Sequence, residues 1–135
     1  MDIFADLMMG LSVAISPINI LYLLIGAIVG MIVGVIPGFG PSAGLAILLP
    51  VTFGMDPIGA IMMLAAIYYG AMYGGTITSI LLNTPGESAT VASTFDGFPL
   101  AKNGRAGPAL VMQAAASFVG GTVGVILITI LAPLF

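Results

Sequence analysis

Long apolar runs punctuated by proline and glycine organise this chain. At its start Phe4, Leu7, Met8, Leu11 and Ile15 recur at helical spacing, so residues 1–15 predict a mildly amphipathic helix lying in a membrane interface. Ser16-Pro17 then reads as a cap followed by a first helical residue, and the apolar run continues to Ile36, where Pro37 ends it. About twenty residues rising ~1.5 Å each give about 30 Å, enough to cross a bilayer. Asp56-Pro57 repeats the start signal for a second crossing over 57–82, and Pro108 opens a third over 108–132. The pattern predicts an all-α, polytopic membrane bundle.

Two interruptions stand out against these runs. In Pro37-Gly38-Phe39-Gly40-Pro41-Ser42-Ala43-Gly44, proline and glycine are too dense for a regular helix. The apolar residues that follow are closed by Pro50, and only about a dozen residues separate the two boundaries, too few to span. A re-entrant segment over 37–56 is the economical solution. The second interruption lies in residues 70–87, GAMYGGTITSILLNTPGE. Thr84-Pro85-Gly86-Glu87 fits a capping box with proline at the first helical position. One helix is therefore expected to fray at Gly74-Gly75 or end at Asn83, and another to begin at Thr84. In lipid such breaks are tolerated only where protein or a wet cavity receives the freed backbone groups, and secondary transporters build binding sites from them.

Glycine also recurs in register. Gly26, Gly30, Gly34 and Gly38 are four apart, as are Gly120 and Gly124, with Gly121 beside them. Such faces let helices approach closely. Tyr68, Tyr69 and Tyr73 form either an interfacial belt or a cavity lining. Residues 87–107 are a polar interlude, mostly helical, with a turn expected at Asp96-Gly97. Lys102 and Arg105 would place it in the cytoplasm.

Composition sharpens the class. Of 135 residues 60% are hydrophobic and 5% charged, where a soluble domain carries about a quarter charged. The net charge of -3 and the lack of a basic patch point away from nucleic acid. Cysteine and histidine are absent, and no G-x-S-x-G or Walker A sequence occurs, so catalysis has little to work with. No cofactor is called for. The opening lacks the basic region of a cleavable signal peptide, so targeting would rest on the membrane helices. The last residues stop within or just past an apolar run, as expected of the first part of a longer protein.

Between Ser16 and Leu82 Asp56 is the one acidic or basic residue, so an anion there meets no Lys or Arg. Helix N-termini, each worth about half a positive charge, would hold it instead. The starts near Ser42 and at Thr84 are the candidates. Gly38, Gly40 and Gly86 would allow backbone N–H groups to approach a carboxylate, with Ser42, Asn83, Thr84 and Pro85 completing the site. Glu87 is either the cap partner of Thr84, the preferred reading, or a coupling-ion or proton site, for which Thr76 and Ser79 are further candidates.

Gly34-Val35-Ile36-Pro37-Gly38-Phe39-Gly40, Leu48-Leu49-Pro50, Tyr73-Gly74-Gly75, Leu81-Leu82-Asn83-Thr84-Pro85-Gly86-Glu87 and Asp96-Gly97-Phe98-Pro99-Leu100-Ala101, in this order and spacing, resemble the large membrane subunit (TctA) of the tripartite tricarboxylate transporters. The resemblance begins near residue 16. It implies a multi-pass subunit of the bacterial inner membrane that imports carboxylates, driven by a Na+ or H+ gradient. It also implies a small membrane subunit and a periplasmic binding protein as partners. Family members resemble an inverted repeat of two halves, so residues 16–135 would be the amino-terminal repeat and a carboxy-terminal half would be missing. Two rival readings are a passive channel and a non-transporting assembly subunit held by glycine faces.

Overall fold

The computed structural model describes residues 3–131, with side-chain environments from residue 5. The expectations for Met1-Asp2, for the Phe4 side chain and for the last residues, 132–135, lie outside this range. Every regular element described is helical: α1 (Ile3–Ala14), α2 (Pro17–Gly34), α3 (Gly40–Leu48), α4 (Pro57–Leu82), α5 (Ala92–Leu100) and α6 (Ala106–Leu131), with short 3₁₀ turns at Leu49–Thr52 and Ser88–Val91.

Proline and a polar cap set the starts of α2 and α4. Ser16 occupies the N-cap of α2, although its hydroxyl makes no capping bond, and Pro17 supplies a fixed φ in the first turn. Asn19 does the polar work instead: 5% exposed, it donates from Nδ2 to the Val13 carbonyl at 2.9 Å and ties the end of α1 to α2. At α4 the Asp56 carboxylate accepts from the N–H groups of Ile58 (3.1 Å) and Gly59 (3.4 Å), satisfying two of the first-turn donors.

The centre of the molecule is the α2–α4 pair, and glycine is what lets it form. A Cβ at Gly26 would lie 2.6 Å from the Met63 carbonyl, and Cβ atoms at Gly30 and Gly34 would collide with the backbone at Ile67 and Ala71. The relation is reciprocal, since Gly70 and Gly74 on α4 are pressed against the Ala27 and Met31 carbonyls of α2. Backbones this close gain dispersion contacts along their whole length. Such a use of glycine also explains a correction. α4 runs unbroken through Gly74-Gly75 for 26 residues to its cap at Asn83; of the two expected alternatives, fraying at the glycines is the one the structure excludes. In lipid nothing but the helix itself can satisfy those backbone groups, and the glycines are held by α2 on one side.

Two more expectations are overturned. Asp96-Gly97 is not a turn but lies inside α5, where the missing side chain at Gly97 makes room for Ile80 of α4; a Cβ there would be 2.7 Å from Ile80 Cγ1. The reversal comes later, at Asn103 and Gly104, whose φ of 76° is a left-handed conformation. The helix after it starts at Ala106, two residues before Pro108, which the first turn accommodates because its N–H would be unbonded anyway.

α2, α4 and the run ending in α6 are long and apolar enough to cross a membrane. α4 carries half of the buried residues among those described, including Met63, Ala66, Ile67, Ala71 and Ile80. α6 buries only Ala109 and Gln113 among the described residues, and its remaining faces are apolar. The protein is an all-α membrane helical bundle.

Candidate functional site

Two of the chain's non-helical interruptions, those after α2 and after α4, meet in space. α2 ends at Gly34, and the tight turn beyond it uses positive φ at Gly38 (76°) and Gly40 (67°), conformations that favour glycine. α4 ends at Asn83, which itself adopts φ 55° and returns its N–H to the Thr78 carbonyl. From these separate ends the Gly38 N–H donates to the Gly86 carbonyl at 3.2 Å. Gly86 in turn lies against α4 and α2: a Cβ on it would be 2.6 Å from Gly75 Cα and 2.9 Å from the Gly34 carbonyl oxygen.

At residues 83–87 the structure departs from the expected helix start. Thr84 and Pro85 are not helical, and the next helical turn begins at Ser88 with Glu87 at its N-cap. The partner of Glu87 is Thr90, not Thr84: the Thr90 hydroxyl accepts from the Glu87 N–H at 3.3 Å, and the Thr90 N–H donates to the Glu87 carbonyl at 3.2 Å. Thr84 spends its hydroxyl on the Leu82 carbonyl (3.1 Å) and its N–H on Thr78 (3.4 Å). The cause is Gly86. Its backbone fits flat between Gly75 and Gly34, and coiling the segment from Thr84 would lift it out of that contact. The N–H groups of Asn83, Thr84 and Glu87 are thus already bonded within the protein.

The start of α3 is different. Phe39 at its N-cap donates to Ile36 at 3.3 Å, Pro41 has no N–H, and Gly40 and Ser42 are the first-turn positions whose N–H groups have no intrahelical acceptor. The Ser42 side chain is exposed and Gly40 is half-buried. Next to them stands Glu87, whose Cβ would lie 3.9 Å from a Cβ at Gly40, and whose Oε1 is buried without a hydrogen-bond partner. The expected site residues Gly38, Gly40, Gly86 and Glu87 are therefore together. Asn83 is exposed, one residue beyond α4.

The hydroxyls of α4 are turned to their own helix. Thr78 and Ser79 both donate to the Gly75 carbonyl, at 3.0 and 2.8 Å, and Ser79 is fully enclosed. Thr76 donates to Met72 at 3.0 Å and faces a cleft shared with α6. Tyr68, Tyr69 and Tyr73 line that cleft, which encloses about 310 Å³. Two bonds hold α6 across it: Tyr69 hydroxyl to Ser117 carbonyl at 3.1 Å, and Gln113 Nε2 to Tyr73 carbonyl at 3.0 Å. Gln113 carried no sequence signal beyond being a polar residue in an apolar run. Of the other glycine faces, Gly26, Gly30 and Gly34 contact α4, whereas Gly120 and Gly124 face open space.

A membrane bundle whose two glycine-proline interruptions converge fits what comparison with known proteins finds. The sequence model of the tripartite tricarboxylate transporter TctA family matches residues 20–135. An Agrobacterium vitis protein described as "Uncharacterized 52.8 kDa protein in TAR-I ttuC' 3'region" is 46% identical over 133 residues, covering 98% of this chain and 26% of that protein. The chain thus spans about a quarter of the length of the curated relative it matches. No solved structure matches. The family is one of transporters, part of a system with other subunits. With nearly all of its helical region covered by that match, the chain belongs to the tripartite tricarboxylate transporter TctA family.

Proposed function

We propose that the chain supplies part of the substrate site of an ion-gradient-driven carboxylate importer, tricarboxylate-type, in the bacterial inner membrane. The observation that carries this reading is the Gly38–Gly86 bond, which joins the two interruptions beside the start of α3. There the Gly40 and Ser42 N–H groups, the Ser42 hydroxyl and the helix dipole would meet a carboxylate group of the substrate. A periplasmic binding protein would deliver the substrate, a small membrane subunit would assemble with the chain, and the remainder of a longer transporter would close the site.

Glu87 gives the coupling a physical basis. Two like charges about 4 Å apart repel by about 4 kcal/mol at an effective dielectric near 20. A substrate anion at Gly40 would therefore bind best with Glu87 protonated or paired with Na+. Its buried, unpartnered Oε1 supports this assignment. A buried oxygen of this kind otherwise stands uncompensated.

The test is uptake of radiolabelled citrate and related carboxylates into vesicles bearing the chain with the rest of its transporter, the binding protein being supplied. Ser42→Ala and Glu87→Gln are the informative variants. Ser42→Ala should raise KM several-fold. Glu87→Gln should leave binding in place while uptake loses its dependence on the ion gradient. Uptake by both variants equal to the unsubstituted protein would move the site elsewhere. Gradient-independent leak would favour a channel.

A further inference from the structure

Glu87 is flanked by two residues that rest on the same patch of α4. A Cβ built on Gly75 would lie 3.3 Å from Gly86 Cα and 3.6 Å from Thr90 Cγ2, so the surface at Gly75 receives the chain on both sides of Glu87. Both flanks are enclosed: Gly86 is buried and Thr90 is 3% exposed. Gly86 is fixed further by the bond its carbonyl accepts from Gly38. Thr90 is fixed to Glu87 itself. Its hydroxyl accepts from the Glu87 N–H at 3.3 Å and donates to the Glu87 carbonyl at 2.9 Å, and its own N–H donates to that carbonyl at 3.2 Å.

Both backbone polar groups of Glu87 thus end on one residue. Glu87 is extended there, at φ −153° and ψ 175°. With its N–H and carbonyl held, its side chain leaves towards the start of α3: Glu87 Cβ is 3.9 Å from where a Cβ at Gly40 would stand.

We propose that Thr90 is a positioning residue whose hydroxyl, seated on α4, sets the direction in which the Glu87 carboxylate enters the corner beside Gly40. Valine has nearly the same shape as threonine and would fill the same space beside Gly75. It would nevertheless leave the part-buried Glu87 N–H without an acceptor, and such donors are rarely left unmet, so the peptide turns towards another partner. That turn re-aims the side chain. Serine keeps the hydroxyl, and with it both bonds. Thr94 is the natural control, because its hydroxyl makes the same kind of bond three residues back, to the Val91 carbonyl at 2.7 Å, and touches nothing of Glu87. That the carboxylate so placed serves ion coupling rests on the proposed function; that Thr90 places it does not.

The chain contains no cysteine, so an engineered pair reports alone. Gly40→Cys with Glu87→Cys sets two Cβ atoms 3.9 Å apart, inside the range of about 3.5–4.5 Å that a disulfide spans. Thr90 bonds only the backbone of residue 87, so both bonds survive in this pair. In membrane vesicles under mild oxidant the pair should cross-link readily, and equally well with Thr90→Ser or Thr94→Val added. Adding Thr90→Val should slow it about tenfold, since Cβ atoms turned apart are bridged only after backbone movement. Gly40→Cys puts a side chain at φ 67°, so the single Glu87→Cys variant supplies a second reading. Its part-buried thiol should react slowly with a maleimide, and faster once Thr90→Val is added.

Cross-linking in Thr90→Val at the unsubstituted rate, an equal loss in Thr90→Ser or Thr94→Val, or thiol reactivity indifferent to Thr90→Val would each overturn the proposal. So would uptake whose gradient dependence is lost in Glu87→Gln but kept in Thr90→Val. No carboxylate or gradient enters the cross-linking or the labelling, so their failure leaves the uptake by the unsubstituted protein standing. Absence of all carboxylate uptake, with the cross-linking pattern as expected, would count against the carboxylate reading alone and support the placement of Glu87 by Thr90.

Discussion

Gly86 combines two duties that a side chain would bring into conflict. Its carbonyl accepts from Gly38, and its bare Cα fits against Gly75 and the Gly34 carbonyl. A methyl group there has backbone on two sides and no flexible side chain to displace. Gly86→Ala should destabilise the protein by about 1–3 kcal/mol, the usual cost of overpacking, read as a lower midpoint of thermal unfolding in detergent. Asn83→Gly is its counterpart. Glycine keeps the left-handed cap that Asn83 adopts and removes only the amide, so stability should change by a few tenths of a kcal/mol. Asp56→Ala, by contrast, removes the acceptor of two first-turn N–H groups and should cost about 1 kcal/mol in the same melt.

Among the elements, the α2–α4 pair decides whether the rest can assemble. Gly30→Leu would force the two backbones apart at Ile67, and the helices should remain while their packing is lost. Far-ultraviolet dichroism should be unchanged, with the cooperative thermal transition broadened or abolished. Gly124→Leu, on a face with open space, should leave that transition where it is in the isolated chain. At this scale the sequence was readable where local chemistry alone decides. Ser16-Pro17 and Asp56-Pro57 mark helix starts because proline acts within one turn, joined at Asp56 by a capping carboxylate. Glycine was ambiguous: at Gly38, Gly40 and Gly104 it marks a left-handed turn, whereas at Gly74, Gly75 and Gly97 it marks contact with a neighbour far along the chain. Only tertiary packing separates the two uses. The same holds for Thr84-x-x-Glu87, a sound local cap signal that lost to Glu87 and Thr90 because Gly86 is needed elsewhere. The chemistry of the first interruption was visible as glycine and proline. Its partnership with the second, and the role of Gln113, were not, since both depend on which helix lies beside which.

For the molecule as a whole, α6 is the long helix least bound to the others. Its polar ties to α4 run through Tyr69 and Gln113, and each bond is worth about 0.5–1.5 kcal/mol net. Tyr69→Phe should therefore cost about 1 kcal/mol and act first on α6. Spin labels placed on α4 and α6 should report a broader distance distribution, while a pair on α2 and α4 should not change. An apolar helix with most of its faces unoccupied is suited to lipid or to further transporter helices, in keeping with a chain that spans about a quarter of its relative's length.

The junction of Gly34, Gly75 and Gly86 also constrains how this lineage can diverge. The end of α2, the second half of α4 and the turn beyond α4 meet at three residues without side chains. A bulkier residue at Gly86 or Gly75 presses on the other's backbone and on the Gly34 carbonyl, one at Gly34 runs into Ala71, and none of the three can become smaller to compensate. Drift at the junction is thus blocked singly and in pairs. A saturation library should find these three positions intolerant together, with rescue arising only from changes in the neighbouring backbone path, as when the turn after α2 gains or loses a residue.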